Sequence, residues 1–156
     1  MKYLSCILFI FLIFNTNSTK ADNIEKKLDE LFNELKNNNV SSSYEIEQKI
    51  WKLWSTHPNN DKLTIMLAEG SDLVNEQKFD KAINVFNKVI ELDPEWAEAW
   101  NKRATLLYMV GEFKKSQEDI DKVLELEQRH FGALAGQGLV NIKLENYEKA
   151  IMSYEK

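Results

Sequence analysis

A 34-residue repeat constrains this chain more than any other feature of its sequence. From Leu63 onward the sequence overlays on itself without a gap, and its three copies start at Leu63, Ala97 and Phe131. Only 5 Gly and 2 Pro accompany 29% charged residues, a balance that favours helices because loops and hairpins use Gly and Pro repeatedly. A period of this length is typical of stacked helix pairs. The sequence therefore predicts an all-α fold.

Within each copy, small and large side chains alternate at fixed positions. Counting each start as position one, small residues occupy positions eight and twenty, and large residues occupy positions seventeen and twenty-four. Because a Gly inside a helix costs about 1 kcal/mol relative to Ala, Gly70 and Gly138 need a packing reason. We expect them to lie where two antiparallel helices cross, with the small residue of position twenty opposite and the aromatic residue of position seventeen beside them. The small residues are Gly70, Ala104, Gly138, Ala82, Ser116 and Ala150, and the large ones are Phe79, Phe113, Tyr147, Phe86, Ile120 and Tyr154.

These columns resemble the tetratricopeptide repeat family over about residues 63–156. The family pattern of a large aromatic, Leu-Gly, Tyr, Ala, Phe, Ala and Pro is matched by Trp100, Gly70, Gly138, Ala82, Ala150, Phe86 and Pro94. The sequence departs from it at position seven, where the usual Leu is replaced by Glu69, Arg103 and Gln137. The resemblance implies a right-handed superhelical stack of antiparallel helix pairs. The phrase at 129–134 is similar to secreted members of the family from Gram-negative bacteria of the alphaproteobacterial type.

The first 21 residues have the outline of a secretion signal. An apolar run from Leu4 to Phe14 follows Met1-Lys2-Tyr3, and it is shorter than the roughly 20 residues that cross a bilayer as a helix. We predict cleavage after Ala21, which gives a periplasmic or secreted protein with no stable membrane insertion. The alternative is an uncleaved leader that anchors the chain in the inner membrane.

Loss of the signal peptide changes the chemistry of the chain. It removes Lys2 and Lys20 and no acid, so the net charge falls from −5 to −7, and we expect no nucleic-acid partner. It also removes Cys6, the only cysteine. The mature chain can therefore form neither disulfides nor thiolate metal sites.

The predicted domains follow from the repeat and from helical spacing upstream of it. After the signal peptide (1–21), apolar residues at helical spacing predict a degenerate helical hairpin over 22–60. The repeat domain covers 61–156, with repeats 63–96, 97–130 and an incomplete 131–156. The apolar residues of the hairpin are Leu28, Leu31, Phe32, Leu35, Ile46, Ile50, Leu53 and Trp54.

The sequence offers no constellation that indicates catalysis. His57 and His130 are the only histidines, neither has a second His at metal-ligand spacing, and we expect both to be solvated turn residues. Gly132, Gly136 and Gly138 follow no strand and do not indicate a dinucleotide site. We therefore predict no catalytic residue, no metal and no cofactor.

What remains is recognition on the concave side of the stack. By the resemblance, positions two, five, nine and twelve of each first helix face a groove that holds an extended peptide or a partner helix. Small residues at Gly132, Ala135 and Gly136 beside Tyr108 predict a pocket for one apolar side chain, and Asn101 has a donor and an acceptor for a peptide backbone. The residues expected to line the peptide-binding groove are Leu67, Ser71, Val74, Asn101, Thr105, Tyr108, Ala135 and Leu139.

The groove lacks the charges that one subgroup of the family uses to grip a C-terminal carboxylate. The corresponding positions hold Leu67 and Ser71 in the first copy and Gly132 and Gly136 in the third. We predict a non-enzymatic protein-protein interaction module in envelope assembly. The alternative is a structural or self-associating repeat protein without a groove ligand.

The apolar end of the third copy bears on this alternative. No polar capping helix follows Ile151 and Tyr154 in this sequence. Because stacked repeats expose their last apolar face unless it is capped, either the sequence is a fragment or a partner or second copy covers these residues.

Overall fold

The computed structural model describes residues 21–37 and 40–155. The predicted signal peptide, apart from Ala21, lies outside the described residues. Within the described ranges the regular elements are helices and no strand occurs, which confirms the predicted all-α class. The helices are α1 (21–37), α2 (Val40–Trp54), α3 (Asp61–Asn75), α4 (Phe79–Leu92), α5 (Ala97–Met109), α6 (Phe113–Leu126), α7 (Phe131–Lys143) and α8 (Tyr147–Tyr154).

The chain divides into two compact units, Met1–Asp61 and Lys62–Lys156. In the described part of the first unit, Leu28, Ile46 and Ile50 are buried. The ring of Phe32 in α1 lies 6.0 Å from that of Trp54 in α2. The apolar faces of the two helices therefore form the core of this unit.

The second unit is a series of helix pairs that cross at the small residues. A Cβ built on Gly70 would overlap the ring of Phe86, and one built on Gly138 would overlap the ring of Tyr154. This confirms that both glycines lie at helix crossings. The side chain nearest each glycine comes from position twenty-four, a contact that we did not predict. In the middle copy, where position eight is Ala104, position twenty-four is the smaller Ile120.

The turn between the two helices of each pair has the same geometry in all three copies. Position fifteen adopts a positive φ each time: 60° at Gln77, 84° at Gly111 and 61° at Glu145. In each turn the next backbone N–H donates to the carbonyl five residues back, as Glu112 donates to Leu107 at 2.9 Å. This 6→1 bond is the Schellman way of closing a helix.

The backbone at the boundary between copies has the same conformation after the first copy, where a proline follows, and after the second, where none does. Asp93 and Glu127 are both extended, at φ −146° and −143°, and each side chain accepts the N–H of the residue two positions on. Pro94 follows the first of these residues and its carbonyl accepts a hydrogen bond from the Trp100 indole at 2.8 Å. At the end of the second copy, where Pro is missing, the acceptor side chain of Glu127 thus closes the turn.

No helix in the described ranges is both long enough and apolar enough to cross a membrane.

Candidate functional site

A recess of about 180 Å³ lies between α5, α6 and α7 in the second unit. Its walls are mostly apolar, and no Lys, Arg, Asp or Glu lines it. Five of the eight predicted groove residues line this recess, which we call the apolar pocket. Its lining is Asn101, Thr105, Tyr108, Ser116, Ile120, Gly132, Ala135, Gly136, Leu139 and Val140.

A second recess of about 190 Å³ adjoins the apolar pocket, since Thr105 lines both. Ser71 and Val74 from α3 line the second recess together with Lys102. Seven of the eight predicted residues therefore surround one continuous surface formed by α3, α5 and α7.

Leu67 does not belong to this surface, and its prediction as a groove residue is wrong. Its side chain is 2% exposed and packs in the core cluster with Leu63, Ala82 and Phe86. The reason is that Leu67 lies one turn from Gly70 on the face of α3 that meets α4.

The serine and threonine hydroxyl groups around the groove already donate hydrogen bonds to backbone carbonyls. Thr105 donates to the Asn101 carbonyl at 2.9 Å, Ser71 to the Leu67 carbonyl at 3.0 Å and Ser116 to the Ala104 carbonyl at 2.8 Å. Each hydroxyl has one hydrogen, so these three groups are acceptors toward a ligand.

A buried polar network holds Asn101. The sequence suggested that both its amide donor and its carbonyl acceptor are available to a peptide, but the donor is already bonded. Its Nδ2 donates to Oε2 of Glu98 at 2.9 Å, and the same oxygen lies 3.0 Å from Nε2 of His130. Nδ1 of His130 accepts the N–H of Ala133 at 3.1 Å, which assigns the proton to Nε2 as the donor to Glu98. Because Glu98 only accepts, the Asn101 amide is fixed with Oδ1 as its unused acceptor.

The structure corrects the interpretation of both histidines. His130 is 0% exposed and caps the N-terminus of α7, while His57 is 7% exposed and accepts the N–H of Asn59 through Nδ1. Neither is a solvated turn residue. His130 connects Glu98 at the start of the second copy to Ala133 in the third.

Glu98 remains a carboxylate despite its burial. Burial raises its pKa, but the hydrogen bond from His130 and the charge of Lys102, whose Nζ lies 3.1 Å from Oε1, outweigh this and leave the pKa below its usual value. The charge at the centre of the network is therefore present at neutral pH.

Two polar clefts elsewhere on the second unit occupy equivalent positions in successive copies. The first, of about 320 Å³, includes Arg103, which forms a bidentate pair with Asp119 and donates to Asn87. The second, of about 220 Å³, includes Gln137 one repeat later. Arg103 and Gln137 at position seven thus bond to neighbouring helices, where the tetratricopeptide pattern has Leu. Because these groups satisfy one another, we take the groove as the candidate site.

Among the described residues, no group of three His, Cys, Asp or Glu side chains is placed to hold a metal ion.

Comparison with known proteins identifies the repeat. A family model for the TPR repeat matches residues 70–111. A TPR repeat-containing protein of Rhizobium etli is 29% identical over 133 residues, which cover 85% of this chain. The crystal structure of MamA superposes with a TM-score of 0.58 at 18% identity, covering 90% of this chain and 80% of MamA. Residues 70–111 thus match the TPR repeat, and most of the chain is similar to a TPR repeat-containing protein.

Other tetratricopeptide repeat structures and sequences are similar over shorter or more distant stretches. The TPR domain of Arabidopsis OM64 has a TM-score of 0.58 at 19% identity and covers 60% of this chain and 77% of that domain. YrrB, described as a TPR protein with an unusual peptide-binding site, has a TM-score of 0.56 at 16% identity, over 88% of this chain and 77% of YrrB. These structures show the shared fold.

The curated relatives are longer than this chain. The chain spans 65% of the Rhizobium etli protein. It spans 15% of the Hsp70-Hsp90 organizing protein of wheat, which is 26% identical over 87 residues, or 56% of this chain.

Two polar arrangements in the second unit were not predicted from the sequence. Glu98 was placed at a groove position but its partner His130 is 32 residues away, and no local pattern connects them. The polar residues at position seven were visible as a departure from the family pattern, but their sequence did not indicate that Arg103 and Gln137 bond to neighbouring helices.

Proposed function

We propose that the groove formed by α3, α5 and α7 binds a peptide segment or helix of a partner protein and that one apolar side chain of the partner enters the apolar pocket. The observation that carries the proposal is the charge-free lining of that pocket, which is open to the same surface as Ser71 and Val74. Its volume is comparable to the roughly 150 Å³ apolar cavity that holds one benzene ring. It is therefore suited to a single side chain and not to a drug-sized molecule.

The setting of this function is also a proposal. The apolar run of the leader supports export to the periplasm, with a role in envelope assembly, and an inner-membrane anchor is the alternative. The net charge of the mature chain supports a protein partner over a nucleic acid. TPR proteins generally act as scaffolds, and this supports a function without catalysis.

Filling the pocket tests the proposal directly. Peptides selected on the immobilised full chain from a displayed random library are labelled, and their binding is measured by fluorescence anisotropy. Ala135→Trp is expected to weaken binding at least about tenfold because the indole occupies the pocket, and Asn101→Ala is expected to weaken it as well.

The matched control is Asn84→Trp, which adds the same ring at an exposed position of α4 that lines neither recess. It should leave binding unchanged. Equal binding by the wild type, Ala135→Trp and Asn101→Ala would contradict the proposal.

A structural, self-associating role is the second candidate, and one observation favours it. Tyr154 is 54% exposed, whereas the residues at the same position in the first two copies, Phe86 and Ile120, are 1% and 3% exposed. Ile151 and Met152 beside it are 59% and 60% exposed. A second copy covering this face would give a sedimentation coefficient that rises with concentration and that Ile151→Lys returns to the monomer value.

A further inference from the structure

A cavity of about 560 Å³ lies in the first unit, and every residue that lines it belongs to α1, α2 or the turn after α2. Its apolar walls come from Ile24, Leu31 and Leu53. This volume falls within the 300–1,000 Å³ that is typical of small-molecule sites. The peptide proposal for the second unit does not use it.

The cavity is built by two helix faces that carry the same kinds of side chain. On α1 the lining residues are spaced i, i+3, i+7, and on α2 they are spaced i, i+3, i+4, so each set forms one stripe, and Thr56 follows in the turn after α2. Each stripe contains both aliphatic residues and lysine. The lining is Ile24, Lys27 and Leu31 on α1, and Lys49, Lys52, Leu53 and Thr56 on and after α2.

The three lysines bring positive charge to this cavity without a matching acid. Within the described ranges, Lys27, Lys49 and Lys52 form no ion pair, and none of the acidic residues of α1 and α2 lines the cavity. The whole chain carries a net charge of −5. The cavity therefore carries a local positive charge on a molecule whose net charge is negative.

We propose that this cavity binds a single-chain amphiphile with an anionic head. Its aliphatic chain lies against Ile24, Leu31 and Leu53, and its head lies among the ammonium groups of Lys27, Lys49 and Lys52. Lysine acts toward anions as a point charge without a fixed fork geometry, so a carboxylate and a phosphate head share the required chemistry.

Isothermal titration calorimetry of the full chain with two probes below their micelle concentrations tests this. Dodecanoate and dodecyl phosphate distinguish the two heads, and binding of either at one site per chain supports the proposal. Dodecanol and dodecyltrimethylammonium, which have the same tail with a neutral or a positive head, are expected not to bind. Octanoate is expected to bind more weakly than dodecanoate, because less aliphatic surface is buried.

Charge-matched variants locate the site. Lys49→Gln with Lys52→Gln is expected to weaken binding of the anionic probe at least about tenfold, because charged hydrogen bonds are lost. Lys26→Gln with Lys36→Gln makes the same change in net charge at exposed lysines of α1 that do not line the cavity, and it should leave binding within about twofold.

Binding of the neutral or cationic probe as tightly as the anionic ones, or equal losses in the two double variants, would overturn the proposal. A full chain that binds neither anionic probe would overturn it too. If the anionic probes then bind after removal of residues 1–21, the occupant of the cavity is the apolar leader of the chain itself.

Discussion

Position eight and position twenty-four of each copy are matched in size at the helix crossing. A glycine meets an aromatic ring in the first and third copies, and in the second an alanine and an isoleucine belong to the same core cluster. Because the matched pair lies 16 residues apart in the sequence and in contact in the fold, one side chain cannot change size alone. The pairs are Gly70 with Phe86, Ala104 with Ile120 and Gly138 with Tyr154.

Two alanine substitutions in α7 test this matching against helix propensity. Gly138→Ala is expected to lower the free energy of unfolding by about 1–3 kcal/mol, because the new Cβ overlaps the ring of Tyr154. Gly136→Ala is the control in the same helix, where a Cβ would lie 3.4 Å from Ile120 in ordinary contact. It should be neutral or stabilising by up to about 1 kcal/mol. Urea unfolding followed by circular dichroism measures both, and equal effects would refute the crossing.

Glu98 makes the free energy of unfolding depend on pH in the acidic range. The folded-state pKa is lowered from 4.5, so the carboxylate stabilises the fold above that pH, and the contribution is lost as the pH falls through the folded-state value. Glu98→Gln is expected to lower the free energy of unfolding by about 1.5–3 kcal/mol at pH 7.

Comparison with the wild type across pH isolates this one group, because Glu127, whose pKa is also lowered, is present in both proteins. The difference in unfolding free energy between wild type and Glu98→Gln should shrink below about pH 4.5. A difference that stays constant from pH 7 to pH 3 would show that the Glu98 charge does not stabilise the fold.

The helix pairs are the elements that the sequence predicted best. The 34-residue period, the glycines and Pro94 are local signals, and the three pairs and their crossings follow from them. The burial of Leu67 and the bond between Glu98 and His130 depend on which face of a helix meets its neighbour at long range. Spacing within one helix does not contain that information.

The turns between paired helices carry a backbone signal that only the structure shows. Position fifteen is left-handed in every copy, yet glycine occupies it only at Gly111. Gln77→Gly is expected to raise the free energy of unfolding by about 0.5–1 kcal/mol, because removal of the steric cost of the left-handed backbone outweighs the chain entropy that Gly adds to the unfolded state. Gly111→Ala is the reverse test and should lower it by a similar amount. A loss of stability in Gln77→Gly, measured by urea unfolding, would show that the Gln side chain matters more than its backbone angle.

At the scale of the molecule, the chain combines two units with different surfaces. The second unit presents an apolar, charge-free pocket within a groove of three first helices, and seven of the eight residues predicted for the groove line its recesses. The first unit contains a lysine-lined cavity that no motif indicated, because its residues come from two helices with ordinary amphipathic patterns. The repeat predicted the position of the groove, and the side chains that line it support the proposed ligand class.

The most direct measurement is amide chemical-shift mapping of the ¹⁵N-labelled full chain with a peptide selected as described above. We expect the largest shifts at Gly132, Ala135 and Gly136, which line the apolar pocket. These shifts should saturate over the same range of peptide concentration as the binding measured by anisotropy. Saturating shifts confined to α8 or to the polar clefts around Arg103 and Gln137, with none at the pocket, would contradict this expectation.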